Sequence, residues 1–330
     1  MDASAAAWKK TQEQVEAMKR EIGRVIVGQD EIIEQMLVAL LCKGHCLIVG
    51  VPGLAKTLLV STLGRILGLT FRRIQFTPDL MPTDIIGSEI LQEDPQTRQR
   101  HFQFAPGPVF AHLVLADEIN RTPPKTQAAL LEAMQERQVT VAGRSMTLDE
   151  PFIVFATQNP IEHEGTYPLP EAQLDRFFFC LTITYPSMDE ERHIVLQTTT
   201  RQTPQAQRVL DANGLLELQN AVLDLPMPDH VLNTILNLVS ATRPDSPLAD
   251  DYIKKYVAWG AGPRASQTFT RAAKALAMLH GQPAASVEEI HAVALPVLRH
   301  RIIPNYNATG EGIGVEAIIR HLLESVSFKK

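Results

Sequence analysis

Continuous apolar runs recur through the first 185 residues of the chain. They lie at 46–49, 113–116, 152–157 and 178–183, and a further segment, 71–76, alternates apolar and polar residues. Runs without alternation are typical of strands buried on both faces of a parallel sheet. Between them, apolar residues at three- and four-residue spacing predict helices. We therefore expect an α/β fold in which a central parallel sheet lies between helices, an αβα core.

The pattern changes after the loop Tyr185-Pro186-Ser187. Beyond it we predict no strands, only helical runs separated by proline and glycine. The predicted runs are 190–198, 213–223, 229–242, 251–259, 267–280, 286–300 and 314–327. A length of 330 residues suits about two domains. We therefore predict an α/β core over residues 1–187 and an all-helical domain over 188–330.

The segment 46–57, CLIVGVPGLAKT, joins a predicted strand to a predicted helix through a glycine-containing loop. In a phosphate-binding loop, backbone amides and the helix N-terminus face the anion. Lys56 would reach the β- and γ-phosphates, and the Thr57 hydroxyl would ligate Mg²⁺. The general pattern has glycine where this chain has Ala55, so an ordinary strand-to-helix turn is the alternative. The predicted nucleotide-binding residues here are Gly50, Val51, Pro52, Gly53, Leu54, Ala55, Lys56, Thr57 and Leu58.

Two other strand ends carry polar residues. Asp117 and Glu118 follow the run 113–116. Asp117 is expected to hold Mg²⁺ and Glu118 to polarise an attacking water. Asn159 follows the run 152–157, where its amide would orient that water, although an Asn-Pro turn explains it equally simply. Paired acids at the end of a strand are common by themselves. Together with a phosphate-binding loop upstream they become a specific sequence signal.

The segment Val25–Gln29 precedes the phosphate-binding loop and its strand. We expect Val27 and Gly28 to contact an adenine base. A helix connector packed on the core is the alternative, and these residues alone do not separate the two.

Two regions predict β-hairpins that stand off the core. The first lies within about 83–108, with a polar turn at 93–96, and the second spans about 139–150 around Ala142-Gly143. Ordinary surface hairpins are the alternative interpretation for both.

Composition restricts the class of protein. A net charge of −6 and a pI near 5.9 argue against broad binding of nucleic-acid phosphates. The three cysteines do not form a disulfide framework and do not have the spacing of a zinc site. We therefore predict that they are small buried thiols and that the compartment is reducing. The N-terminal stretch lacks a signal-peptide core, and no run approaches the ~18 apolar residues of a membrane span. We expect a cytoplasmic protein without a transmembrane segment.

In their order and spacing these motifs resemble the MoxR family of AAA+ ATPases. The segments that carry the resemblance are GVPGLAKT (50–57), LVLADEINR (113–121), FATQNP (155–160), EGTYPLPEAQLDRF (164–177) and GPRASQ (262–267). They extend over nearly the whole chain, and Ala55 fits the looser MoxR form of the loop. The resemblance implies ATP and Mg²⁺ as ligands and a helical lid as the second domain.

The resemblance also implies roles for individual residues. Lys56 and Thr57 match Walker A, and Asp117 and Glu118 match Walker B. Asn159 matches sensor 1. Arg176 looks like the arginine finger that reaches the nucleotide of a neighbouring subunit, and Arg264 like sensor 2. The two hairpins look like the helix-2 insert and the pre-sensor-1 hairpin. Alternatively, Arg176 pairs with Asp175 or Glu171, and Arg264 only caps the lid. Arg121 is a further candidate for an interface residue.

Members of this family usually form hexameric rings with ATP between subunits. They typically remodel or activate a protein partner, often one with a von Willebrand factor A domain, and sometimes help a metal cofactor enter its enzyme. A nucleic-acid motor similar to the MCM helicases is a second hypothesis. The mixed charges of the hairpins and the lack of a separate DNA-binding domain argue against it. A nucleotide-gated scaffold with slow hydrolysis is a third.

Overall fold

The computed structural model of the chain describes residues 2–93, 98–161, 165–200 and 204–326, with side chains from Trp8 onwards. Residues 94–96 of the first predicted turn and Glu164 of the segment 164–177 lie outside this part.

The strands are β1 (Cys46–Val49), β2 (Phe71–Gln75), β3 (Gly87–Glu93), β4 (Arg100–Pro106), β5 (Leu113–Asp117), β6 (Gln138–Val141), β7 (Arg144–Thr147), β8 (Ile153–Gln158), β9 (Phe179–Thr182), β10 (Val257–Trp259) and β11 (Ile303–Pro304). The helices are α1 (Asp2–Gly23), α2 (Asp30–Leu41), α3 (Lys56–Ile66), α4 (Pro82–Ile86), α5 (Pro124–Glu136), α6 (Glu171–Leu174), α7 (Met188–Thr198), α8 (Ala212–Asp224), α9 (Asp229–Ala241), α10 (Asp251–Tyr256), α11 (Pro263–Leu279), α12 (Val287–Leu298), α13 (Tyr306–Gly310) and α14 (Val315–Ser325).

Five parallel strands form the central sheet in the order β2-β5-β8-β1-β9. Strands β1, β5, β8 and β9 are buried on both faces, whereas the edge strand β2 is partly exposed. In β5, Leu113 and Leu115 pack into one hydrophobic cluster, and Val114 and Ala116 pack into the other. Since successive side chains of a strand point to opposite faces, each run needed apolar residues at every position. The predicted αβα core with a parallel sheet is confirmed.

The two clusters have different partners. Residues of α1, α2 and α3 belong to the larger cluster, together with residues of α8, α9, α11 and α12. Residues of α5 belong to the smaller cluster on the opposite face of the sheet. The helices of the second half of the chain therefore pack against one side of the core and share its hydrophobic interior.

Both predicted hairpins are present. Strands β3 and β4 pair antiparallel from Gly87↔Pro106 to Glu93↔Arg100. Strands β6 and β7 pair across Ala142-Gly143, where both residues have positive φ, 50° and 78°, as a two-residue type I′ turn requires. Their assignment as family-specific inserts remains a prediction.

The region beyond residue 187 is helical as predicted, and the structure adds one short antiparallel pairing, between β10 and β11. The run predicted as helix over 251–259 is correct only to Tyr256. Val257–Trp259 is a strand because it pairs with β11, more than forty residues away in the chain, and local periodicity does not report that partner. The domain division at residue 187 remains a prediction.

Within the described residues no helix has the length and apolar character needed to cross a bilayer. The three cysteines are buried free thiols, as predicted.

Candidate active site

The loop after β1 holds an unusual backbone conformation. Ala55, the residue immediately before α3, has φ 54° and ψ 22°, in the left-handed region that glycine adopts without cost. Gly53 also has a positive φ, 85°. Among the described residues, no carbonyl accepts a hydrogen bond from the amides of Val51, Gly53, Leu54 and Ala55, and Pro52 has no N–H to donate. The loop therefore presents unpaired N–H groups at the N-terminus of α3, as an anion site requires.

Lys56 is the first residue of α3 and folds back over the loop. Its Nζ donates to the carbonyl oxygen of Gly50 at 2.5 Å. Partial burial lowers the pKa of Lys56, and the negative charges of Asp117 and Glu118 oppose that shift. The lysine thus lies between the loop and the two acids, close to the place where a phosphate would sit.

Asp117 ends β5 and makes two kinds of contact. Its Oδ1 accepts a hydrogen bond from Thr157 Oγ1 at 2.6 Å, and its Oδ2 pairs with Arg73 Nη2 at 2.6 Å. Thr157 lies on β8, the neighbouring strand, and Arg73 lies on β2, on the other side of β5. Both flanking strands therefore orient this carboxylate.

Glu118 follows Asp117 in the left-handed conformation, with φ 58°. Its amide donates to Thr157 Oγ1 at 2.8 Å. Its Oε2 accepts from Gln75 Nε2 at 2.7 Å and pairs with Arg121 Nε at 3.2 Å. Such a backbone conformation costs about 1–3 kcal/mol and persists where surrounding contacts enforce it, often at functional sites.

No sequence pattern singled out Arg73, Gln75 or Thr157. The alternation within 71–76 indicated that residues 73 and 75 share one face of their strand. It did not indicate that this strand lies beside β5, where Gln75 is directly opposite Asp117. Sheet order was the missing information.

Asn159, just after β8, makes the turn contact and also keeps one side-chain donor unpaired. Its Oδ1 accepts from the amide of Ile161 at 3.2 Å, which is the expected Asn-Pro turn. Its Nδ2 is buried and has no partner among the described residues, and the side chain as a whole is 5% exposed. A buried donor without a partner costs free energy, so this nitrogen is available for an acceptor that occupies the site.

One cavity of about 470 Å³ brings these groups together. Its walls are Pro52, Gly53, Leu54, Ala55, Lys56, Thr57, Leu58, Arg73, Gln75, Asp117, Glu118 and Asn159. Gly50 and Val51, which were also predicted to bind nucleotide, do not line it, and Gly50 instead accepts the hydrogen bond of Lys56. The five candidate polar groups from Walker A, Walker B and sensor 1 thus face one space.

The donor set of this cavity fits Mg²⁺. Thr57 and Asp117 supply a hydroxyl and a carboxylate oxygen, which are hard ligands. The described residues contain no cluster of three or more acid, histidine or cysteine side chains able to hold a metal. Mg²⁺ is usually held by one or two protein ligands with water and substrate phosphates, so two oxygen donors beside a phosphate loop suffice.

A smaller, largely apolar cavity of about 120 Å³ adjoins the first and shares Gly53, Leu54, Ala55 and Leu58 with it. Val27 lines this cavity, and Gly28 does not. Gly28 has a positive φ of 69°, which glycine adopts without steric cost, and a Cβ atom there would lie 2.0 Å from Oε1 at the flexible end of the Glu190 side chain.

Neither candidate arginine lines either cavity. Arg176 donates from Nη1 to the carbonyl oxygen of Leu131 at 3.1 Å. Arg264, the second residue of α11, pairs through Nη1 with Asp175 Oδ2 at 2.8 Å. Arg264 therefore contacts the residue next to Arg176, and the two candidate arginines belong to one region of the surface.

Two family models match parts of this chain. A family model described as "ATPase family associated with various cellular activities (AAA)" matches residues 45–179. A second, described as "AAA lid domain", matches residues 250–322. The first covers strands β1 to β8 and ends at the start of β9, and the second begins just before α10 and ends within α14.

Three relatives match nearly the whole chain. Chaperone MoxR1 of Mycobacterium tuberculosis is 47% identical, over 93% of this chain and 80% of the relative. The protein YeaC of Bacillus subtilis is 43% identical, over 92% of each chain. Protein MoxR of Paracoccus denitrificans is 32% identical, over 97% and 96% of the two chains. The crystal structure of an ATPase candidate from Cytophaga hutchinsonii superposes with a TM-score of 0.93 and 40% identity, over 100% of this chain and 99% of that one.

Proposed function

The chain belongs to the MoxR family of AAA+ ATPases, and we propose that it is a Mg²⁺-dependent ATP hydrolase that acts as a ring-forming, chaperone-like remodeller of a protein partner. One observation carries the enzymatic part of the proposal. Lys56, Asp117, Glu118 and the unpaired amide nitrogen of Asn159 face one cavity, at the end of a loop whose amides have no carbonyl partner among the described residues.

The loop and Lys56 would bind the phosphates. The unpaired amides of Val51, Gly53, Leu54 and Ala55 and the N-terminus of α3 supply partial positive charge, and Lys56 supplies a full charge. On arrival of ATP, Lys56 Nζ would exchange the carbonyl oxygen of Gly50 for β- and γ-phosphate oxygens. Mg²⁺, held by Thr57 and Asp117, supplies further positive charge to those oxygens when bound.

Glu118 and Asn159 would act on the hydrolytic water. Gln75 and Arg121 hold the Glu118 carboxylate from two sides, which fixes its direction. Glu118 accepts a proton from the water as it attacks, and Asn159 Nδ2 donates to the water or to the γ-phosphate. Preorganised groups of this kind lower the barrier because they need no rearrangement during the reaction.

The adenine base would occupy the apolar cavity lined by Val27. This cavity shares four residues with the phosphate cavity, so a base and a triphosphate chain can be joined across them. Gly28 would act indirectly, through the positive φ by which the backbone turns directly after Val27.

Arg176 and Arg264 would serve the site of a neighbouring copy. Both lie outside the cavities of their own chain, and they lie near each other through Asp175. An arginine supplied by a neighbour stabilises the charge of the transferring phosphoryl group and contributes about 10³–10⁵ in turnover in other P-loop enzymes. The proposed assembly is a hexameric ring, the usual arrangement of this family, in which each interface contains one complete site.

The chaperone role rests on the family and on the name of the relative Chaperone MoxR1. The partner we propose is a protein. In this family such a partner is often a protein with a von Willebrand factor A domain or a metalloenzyme. Nucleic acid is not proposed, because the exposed hairpin β3–β4 carries Glu89 and Glu93 beside Arg100 and has no uniformly basic surface among its described residues. A cytoplasmic location also remains a prediction.

ATPase activity measured against protein concentration tests this proposal, with Lys56→Ala as the blank. We expect activity per subunit to rise with concentration and to fall by about 10³-fold in Arg176→Ala, while that variant still binds ATP. Activity that stays constant over a range in which the protein is monomeric would contradict the shared site. Binding of ATP without turnover at any concentration would favour the scaffold alternative.

A further inference from the structure

Asp175, the residue before Arg176, joins two arginines of the helical region. Its Oδ1 lies 2.8 Å from Arg301 Nε, and its Oδ2 lies 2.8 Å from Arg264 Nη1. We infer that Asp175 and Arg301 are positioning residues, which hold Arg176 and Arg264 as one preassembled pair for the neighbouring active site. The inference rests on the proposed function, because it concerns a site that two copies share.

Arg301 is the fixed point of the arrangement. Its side chain is only 2% exposed. Besides Asp175, it donates to the carbonyl oxygens of Val297 at 2.5 Å, Phe177 at 2.8 Å and Phe178 at 3.3 Å. An unpaired charge at such depth would be strongly unfavourable, so the carboxylate of Asp175 and the three carbonyls together explain how an arginine can be buried there.

The two residues before Arg301 hold the same segment of the core. His300 Nε2 lies 3.0 Å from the carbonyl oxygen of Phe177, and Arg299 Nη1 donates to that of Cys180 at 2.8 Å. Three consecutive residues after α12 therefore bind the backbone that connects Arg176 to β9. On its other side, the Arg176 guanidinium is held by Leu131 of α5. The backbone that carries Arg176 is thus fixed by the helical region.

Arg264 differs from Arg301 in exposure. Its side chain is 48% exposed, and Asp175 is its one ion-pair partner among the described residues. A long exposed side chain samples many rotamers, and one ion pair to a carboxylate that is itself held by a buried arginine reduces that freedom. Asp175 also places negative charge between two arginines that would otherwise repel each other. Arg264 therefore keeps a defined position beside Arg176.

An ordinary ion pair between two domains is the competing explanation. Such an ion pair would stabilise the fold of one chain, and a neighbouring subunit could not restore the activity lost when it is removed. The positioning role makes the opposite prediction, because the defect then lies at the site of the neighbour. Mixing experiments separate the two explanations.

The experiment uses three full-length variants, Asp175→Asn, Arg176→Ala and Lys56→Ala, each alone and in equimolar mixtures. Asp175→Asn keeps the shape of the side chain and removes its charge. We expect it to lose about tenfold to a hundredfold in ATPase activity, and to bind a fluorescent ATP analogue with an affinity within about twofold of the parent. Mixing with Lys56→Ala, whose arginines are intact, should restore activity. Glu171→Gln, a nearby exposed acid on α6, serves as the matched control and should behave like the parent.

Each outcome separates the inference from the proposed function. If Arg176→Ala mixed with Lys56→Ala recovers activity and Asp175→Asn mixed with Lys56→Ala does not, Asp175 acts within its own chain and the inference is wrong. Full activity of Asp175→Asn alone overturns it as well. If neither mixture recovers activity, the shared site itself is wrong, and the inference falls with it.

A second measurement covers the case in which Asp175→Asn fails to fold. Asp175→Glu keeps the charge but displaces it by one methylene, so we expect a partial loss that Lys56→Ala again restores. For variants that fold, we also combine Asp175→Asn with Arg264→Gln. The ATPase activity of this double variant should be no more than about threefold below that of the less active single variant, because both changes break the same contact. Losses that multiply would contradict a role of Asp175 through Arg264.

Discussion

We call the cavity of about 470 Å³ around Lys56 and Asp117 the phosphate cavity, and we call Asp175, Arg264, Arg299, His300 and Arg301 the Asp175 cluster. The two regions differ in how their polar groups are paired. In the cavity, the loop amides and Asn159 Nδ2 lack partners among the described residues, and Ala55 and Glu118 hold backbone conformations that cost free energy. Around Asp175, the buried Arg301 has an acceptor for each of its three nitrogens. Unpaired donors and backbone strain indicate a site prepared for a ligand, whereas saturated donors indicate a rigid support.

The two regions also differ in origin. The residues of the cavity come from strands β2 and β5, from the segments that follow β1, β5 and β8, and from the first turn of α3. The cluster joins the core to the helical region across more than a hundred residues of chain. Changes in the cavity should therefore affect the chain that carries them, and changes in the cluster should affect its neighbour or the attachment of the helical region. The following predictions test that division.

The largest expected effect comes from the acid that we propose to activate water. Glu118→Gln keeps the size of the side chain and its contact with Gln75 but removes the base, so hydrolysis should fall by about 10²–10⁴-fold. ATP binding should persist, because Glu118 does not belong to the phosphate loop. Steady-state ATPase assays and binding of a fluorescent ATP analogue measure the two quantities. Glu132→Gln on the exposed side of α5 is the control, and equal loss of binding and turnover would contradict the assigned role.

Asn159→Ala also changes the phosphate cavity, and its effect on turnover should be smaller than that of Glu118→Gln. It removes one donor from the cavity, and losing a single preorganised donor costs about 10²–10³-fold where the donor contacts developing charge and less where it only orients water. We therefore expect a decrease of about tenfold to a hundredfold in kcat with little change in KM. A rise in KM at constant kcat would place Asn159 in ground-state binding alone.

The cluster should contribute to the acid sensitivity of the fold through His300. Burial lowers the pKa of His300 well below its usual range, and the neighbouring positive charges of Arg301 and Arg299 lower it further. Its Nδ1 is buried without a partner among the described residues, so a proton there would find no acceptor. Below pH about 6.5 the unfolded chain binds this proton and the folded chain does not, so stability falls as the pH falls, with a slope of up to about 1.4 kcal/mol per pH unit.

Urea unfolding at pH 7.5 and 5.5 measures this dependence. In His300→Gln the fall in stability between the two pH values should be smaller than in the parent. The same substitution at His101, which is exposed on β4, controls for the loss of a histidine. An unchanged pH dependence in His300→Gln would show that other groups cause the acid sensitivity.

The smallest effect is expected at Ala55. Glycine adopts the left-handed conformation of this position without the steric cost of a Cβ, but it also loses more backbone entropy on folding. We expect Ala55→Gly to keep ATPase activity and to change stability by less than about 1 kcal/mol. Ala55→Val should lower both stability and nucleotide affinity, because a β-branched residue is strongly disfavoured there. Thermal unfolding with and without an ATP analogue provides the measurement.

The sequence alone was sufficient for the parts of this protein that are local in the chain. The strands of the sheet were predictable because a parallel strand buried on both faces has to be apolar at every position. The phosphate loop, Asp117, Glu118 and Asn159 were predictable because each lies directly after such a strand, and parallel strands end at one edge of the sheet. The resemblance to MoxR proteins added Arg176 and Arg264, which no local pattern distinguishes from other surface arginines.

Tertiary structure decided which distant residues support these groups. The order of the strands places Arg73 and Gln75 beside the Walker B acids. The packing of α12 against β9 brings Arg301 to Asp175, and the pairing of β10 with β11 shortens α10. Each of these contacts depends on the relative positions of elements far apart in sequence. Hydrophobic periodicity records which face of an element is buried, but it does not record which element covers that face.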